Sequence, residues 1–163
     1  MIEVKVAAIR VSLVSPHRII VLKELGAERY LPIWIGACET EAISMRLQGI
    51  DPPRPMTHDL IVNILTALDA ELQYIFINAL KRDTFYCEIM LDVKGEPVVI
   101  DSRPSDAIAI AVRLSTPIYV HEDVLTEAGV VPEDSLLEET SDEGLDIFRD
   151  FLNQLDIDDI PTD

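Results

Sequence analysis

DSRPSDAIAIAVR, residues 101–113, decides the fold. Ala107, Ile108, Ile110, Ala111 and Leu114 give an almost wholly apolar helix, and a helix of that composition must be buried on most sides. Pro104 suits its first turn, where a missing N–H costs nothing. The β-branched residues before it read as a strand, so the stretch is a strand-to-helix junction.

Outward from it, Leu72–Leu80, Phe85–Val93 and Pro97–Ile100 read as strands, the last two joined through Lys94-Gly95-Glu96 as a hairpin. At the other end, Ile2–Val14 alternates, Ser15-Pro16-His17 breaks the pattern, and Arg18–Leu25 and Arg29–Ile35 complete a three-strand meander. Glu39–Leu47 is predicted as a short helix with acids at its start, favoured there by the helix dipole. Asp51-Pro52-Pro53-Arg54-Pro55 is a stiff extended link. Thr57 is expected to cap a second long helix with Leu60, Ile61, Ile64, Leu65 and Leu68 on its buried side. Pro117–Val120 makes a short strand and Asp123–Ala128 a helical turn or two. The expectation is an α+β fold: a mixed, largely antiparallel sheet packed with three main helices, plus a C-terminal helix striped by Leu145, Phe148, Leu152 and Leu155.

With 163 residues, 48% hydrophobic and 26% charged, the chain has the size and composition of one globular body. No uncharged apolar run approaches the length of a membrane span and Met1-Ile2-Glu3 opens no basic leader, so the expected location is the cytoplasm, without a membrane partner. Cys38 and Cys87 lack metal-ligand spacing and read as reduced, packed thiols. The net charge of −17 is concentrated: residues 1–121 hold 15 acids against 12 Lys and Arg, whereas 122–163 hold 15 acids and only Arg149. Residues 1–121 are thus nearly neutral; the expected division is a body at 1–130 and an acidic tail at 131–163 with an amphipathic helix, suited to a protein partner.

Arg-Pro occurs twice ahead of a hydroxyl residue and an Asp, in RPMTHD at Arg54–Asp59 and RPSD at Arg103–Asp106. Each copy gathers a fixed cation, an anion and helix-start signals. An offset of 65 residues also aligns Ile35 with Ile100, Glu41 with Asp106, Ala42 with Ala107 and Ile43 with Ile108. Two readings stand: a chance likeness of apolar stretches, or an internal strand-to-helix duplication.

RYLPIWIG from Arg29, PPRPMTHDL from Pro52 and DSRPSDAIAIAVR, in that order, resemble the bifunctional nuclease family, named after plant members that degrade both DNA and RNA. The likeness covers residues 1–130, and the ending FRDFLNQLDIDDI is similar to tails of bacterial members. What the resemblance implies is nuclease activity on DNA and RNA, an α+β body and self-association. Abundant apolar helical and strand surface points the same way, toward a homodimer.

The residues can be asked directly which of them could hydrolyse a phosphodiester, a reaction needing an activated water, an acid for the leaving oxygen and positive charge against the phosphorane. Histidine is the side chain whose unperturbed ionisation lies near neutrality, which makes His58, with Asp59, Asp101 and Asp106, the candidate catalytic set. Arg54, Arg103 and Ser105 are candidate phosphate contacts, and Asp101, Asp106 and Glu41 candidate ligands for Mg²⁺ or Mn²⁺. Glu39 is a further carboxylate at the first helix start. Trp34 and Tyr30 are possible stacking surfaces, while His17 and His121 read as solvent residues. The alternative is a non-catalytic homo-oligomeric regulatory or interaction module in which the same side chains form a structural ion-pair network. Either way the two helix starts that follow Arg-Pro are expected to meet.

Overall fold

The computed structural model describes residues 1–11 and 18–131. The expected extension of the first strand to Val14, the turn at His17 and the C-terminal tail with its helix lie outside these residues. In chain order the elements are β1 (Ile2–Val11), β2 (Arg18–Glu24), β3 (Tyr30–Ile35), α1 (Ala37–Leu47), α2 (Thr57–Ala67), β4 (Ala70–Lys81), β5 (Thr84–Val93), β6 (Glu96–Ser102), α3 (Pro104–Leu114), β7 (Ile118–Val120) and α4 (Glu122–Ala128). The fold is α+β. Its seven-stranded sheet runs β3-β2-β1-β7-β4-β5-β6, antiparallel throughout except where β7 lies parallel to β4.

That order is symmetric about β7, and so is the chain. A shift of 67 residues carries β1 onto β4, β2 onto β5, β3 onto β6 and α1 onto α3, since the two helices start at residues 37 and 104. In this register Ala42 matches Ala109, Ile43 matches Ile110, Arg46 matches Arg113 and Leu47 matches Leu114. The duplication is therefore real in the architecture, but its register is 67 rather than 65. Anchoring on the strand isoleucines displaces the match by two residues, because β6 continues past Ile100 to Ser102, whereas β3 stops at Ile35.

Helix α3 sits at the centre, packed on α1, α2, β4 and β5. Ala107, Ile108, Ala109, Ile110 and Ala111 are all buried, as its composition requires. They meet Ile20, Leu22, Leu31 and Ile33 from one half of the sheet and Ile75, Ile77, Cys87, Ile89 and Leu91 from the other in a single core. The hairpin at Lys94-Gly95 has both residues at positive φ, +56° and +88°, the conformation a two-residue turn between twisted strands demands.

Three local expectations change. Met56, not Thr57, is the N-cap of α2, and the cap comes from within the helix: Asp59 Oδ2 accepts a 2.8 Å hydrogen bond from the Met56 amide. Of the apolar residues assigned to the buried side of α2, Ile61 and Leu65 pack on the core, but Leu60, Ile64 and Leu68 are exposed, because α2 leans on α3 through a narrower stripe. The cysteines also differ: Cys87 is buried, and its thiol is pushed up to about 12 by that burial, but Cys38 is exposed in the first turn of α1.

Candidate functional site

Helices α1, α2 and α3 each place an acid at their third residue, Glu39, Asp59 and Asp106. A carboxylate in the first turn faces unsatisfied N–H groups and the positive end of the helix dipole, which explains the repeated choice. What differs is what each acid holds.

Arg103, the N-cap of α3, joins two of them. Its Nε donates to Asp106 Oδ2 at 2.8 Å and its Nη2 to Glu39 Oε1 at 2.7 Å, so it bridges the starts of α1 and α3. Although β3 and β6 are opposite edges of the sheet, the helices that follow them come within one side chain of each other, so the sheet curls around the helical layer. From α2, His58 Nε2 lies 3.1 Å from Asp106 Oδ1. The continuous chain Glu39–Arg103–Asp106–His58 therefore draws on all three helix starts, and the two Arg-Pro helix starts do meet.

The chain is graded in exposure. The side chain of His58 is 9% exposed, that of Asp106 29% and that of Arg103 67%, so the histidine forms the floor and the guanidinium the rim. Burial works to raise the Asp106 carboxyl, but the hydrogen bonds from Arg103 and His58 outweigh it and hold the group below the usual carboxylate range. Arg103 is raised by the same bond to Asp106 and by Glu39. Space is tight at Glu39: its carboxylate folds back over Gly36, where an added Cβ would collide with Oε2. Gly36 occupies in α1 the place of Arg103 in α3, so the duplicated caps have diverged into one bare position and one cation.

Other candidates fall elsewhere. Asp59 is tied to Arg113 and to the Met56 amide; burial again raises its carboxyl, but those bonds hold it low. Asp101 pairs in register with Glu88, on the sheet face opposite Cys87, Ile89 and the helices. Glu41 is exposed, two residues past Glu39 and therefore on another side of α1. Ser105 is buried, and Arg54 is exposed with no hydrogen bond or ion pair among the described residues. His121 is no bystander: its Nδ1 accepts from the Asp123 amide and caps α4. Trp34 is exposed on the sheet face opposite the helices; Tyr30 donates to Glu28 beneath the Lys23 ammonium.

The expected carboxylate cluster of Asp101, Asp106 and Glu41 does not assemble. Among the described residues no three His, Cys, Asp or Glu side chains are placed to hold a metal ion, and both oxygens of Asp106 already serve His58 and Arg103. Among the described residues this donor set does not fit Mg²⁺ or Mn²⁺. The residue that spacing underrated is Glu39; its signal was the glycine immediately before α1, which leaves room for its carboxylate to fold back.

Fold and site together define an α+β domain with an arginine-centred ion-pair relay across three helix starts. The chain belongs to the family of the Bifunctional nuclease domain, which matches residues 20–133. It is 40% identical over 161 residues to the uncharacterized protein Rv1829 of Mycobacterium tuberculosis, covering 96% of each chain. It is 29% identical over 120 residues to Bifunctional nuclease 2 of Oryza sativa subsp. japonica and 28% over 125 residues to Bifunctional nuclease 2 of Arabidopsis thaliana. These matches cover 71% and 74% of this chain but only 37% and 38% of the plant proteins. No described helix is long and apolar enough to cross a membrane.

Proposed function

We propose that this chain hydrolyses phosphodiester bonds in DNA and RNA, with Arg103 and Asp106 as the groups that meet the substrate and His58 as the residue that positions Asp106. The observation that carries this reading is the exposed guanidinium of Arg103 at the N-terminus of α3, joined to a carboxylate whose other oxygen is anchored by a buried histidine. A phosphate arriving at the helix start meets backbone N–H groups and a cation. It competes with Asp106 and Glu39 for Arg103, whose guanidinium suits both carboxylate and phosphate geometry.

Exchange of Arg103 onto phosphate leaves Asp106 Oδ2 free while His58 keeps Oδ1 in place. Water then adds to phosphorus as its proton passes to Asp106; the bond from phosphorus to the bridging oxygen breaks, and the departing alkoxide takes a proton from solvent. The nucleic-acid substrate follows from the family and its plant relatives. Location in the cytoplasm and a protein partner for the acidic tail belong to the same proposal.

One observation favours the second reading, a structural network in an interaction module. Glu39, Arg103 and Asp106 are fully cross-paired and sum to one negative charge, which repels rather than attracts an anion. Digestion of single-stranded DNA and RNA, with and without chelator, separates the two. Arg103→Ala and Asp106→Asn, with near-UV dichroism unchanged, are expected to lower cleavage by about 100-fold or more. Cleavage that both variants leave unchanged would come from another source and return these residues to the structural network of the second reading.

A further inference from the structure

The two edges of the sheet are equivalent by the 67-residue shift, yet among the described residues only one is closed. On β3, Leu31 and Ile33 are 0% and 3% exposed; α4 packs against the strand and Val130 bridges Tyr30 with hydrogen bonds of 2.7 and 2.8 Å. Pro32, at the middle of that edge, has no N–H to offer a neighbour. On β6 the corresponding residues, Val98 and Ile100, are 38% and 43% exposed, and Val99, which replaces Pro32, is 52% exposed. Among the described residues no strand or helix covers this edge.

An unpaired strand with apolar side chains on both faces is a template for another strand. A helix laid on the sheet would cover Val98 and Ile100 but leave Val99 in water, because successive side chains alternate across the sheet. A strand added in the plane covers all three. We infer that β6 pairs antiparallel with β6 of a second copy of this chain about a two-fold axis through Val99, continuing the sheet across both copies.

The register supports itself. With Val99 on the axis, Val98 faces Ile100, Pro97 faces Asp101 and Glu96 faces Ser102, so the central pairs on both faces are apolar and no like charges oppose each other. Only Pro97, near the strand start, lacks a donor. Such an isologous contact closes after two copies instead of propagating. The seam ends at Ser102, one residue before Arg103, so the ion-pair relays of the two copies lie at opposite ends of one interface. The inference does not depend on the nuclease reading.

The test uses the full chain. Sedimentation at micromolar concentration is expected to show a dimer, and Val99→Asp, which sets two carboxylates on the axis, is expected to raise its dissociation constant by more than about tenfold with far-UV dichroism unchanged. In a Cys38→Ser background, which leaves only the buried, unreactive Cys87, Val99→Cys is expected to form a reducible disulfide-linked dimer under mild oxidation. Three results would overturn the inference. One is a wild-type monomer at tens of micromolar. Another is a dimer that Val99→Asp leaves intact and Val99→Cys does not cross-link. The third is a monomeric Val99→Cys variant whose introduced thiol is slow to react with a thiol reagent, which assigns the edge to the chain's own C-terminal segment.

Discussion

The first half of this protein, β1 to α1, and the second, β4 to α3, are one design built twice and finished differently. Both run three antiparallel strands into a helix with an acid at its third residue. In the first half the outer strand is covered by α4 and the helix cap is Gly36; in the second no element of the described residues covers the outer strand and the cap is Arg103. The shared features are those that make the fold, while the two differences fall at the candidate site and at the free edge. The scaffold is repeated, and the two halves differ at equivalent positions of it.

The largest effects expected are in the shared core. Ile43→Ala and Ile110→Ala occupy matching, buried positions, and each is expected to cost about 2–5 kcal/mol in urea denaturation. A large inequality between them would break the equivalence. The edges sharpen it in the opposite sense: Leu31→Ala should fall in the same range, whereas Ile100→Ala in the monomeric Val99→Asp background should cost under about 1 kcal/mol, since its side chain is 43% exposed where Leu31 is fully buried.

Smaller effects come from the helix starts. Burial of His58 against Asp106 makes His58→Ala destabilising by about 1–3 kcal/mol. Asp59 and Asp106 are both held below their ordinary values, so the unfolded chain binds protons more readily. Their contribution is fully present above the unfolded-state pKa near 4 and is lost as the pH falls through the lower folded-state values. Thermal melts between pH 3 and 6 should show this decline, and Asp59→Asn should flatten it. The smallest effect is expected from Gly36→Ala, which displaces a flexible Glu39 carboxylate and, by loosening a competitor for Arg103, should raise cleavage while changing stability little.

Sequence pattern reached the fold class, the central buried helix and the meeting of the Arg-Pro helix starts, because composition, periodicity and proline restrict the backbone locally. It missed where side chains turn at the junctions. Asp101 lies two residues before Arg103, but the strand pleat sends it to the opposite face with Glu88. Glu41 matched Asp106 in a register two residues off, whereas Glu39 shares its helical position. The exposed stripe of Leu60, Ile64 and Leu68 has the same spacing as a buried one, and only packing on α3 distinguishes it.

The central claim is that phosphate takes Arg103 from its carboxylates. The most direct measurement is an NMR titration of the arginine Nε–H resonances with a non-cleavable oligonucleotide. The account predicts a saturable shift of the Arg103 resonance, with the His58 ring signals perturbed as Asp106 is released. Saturable binding that leaves Arg103 unmoved would contradict it.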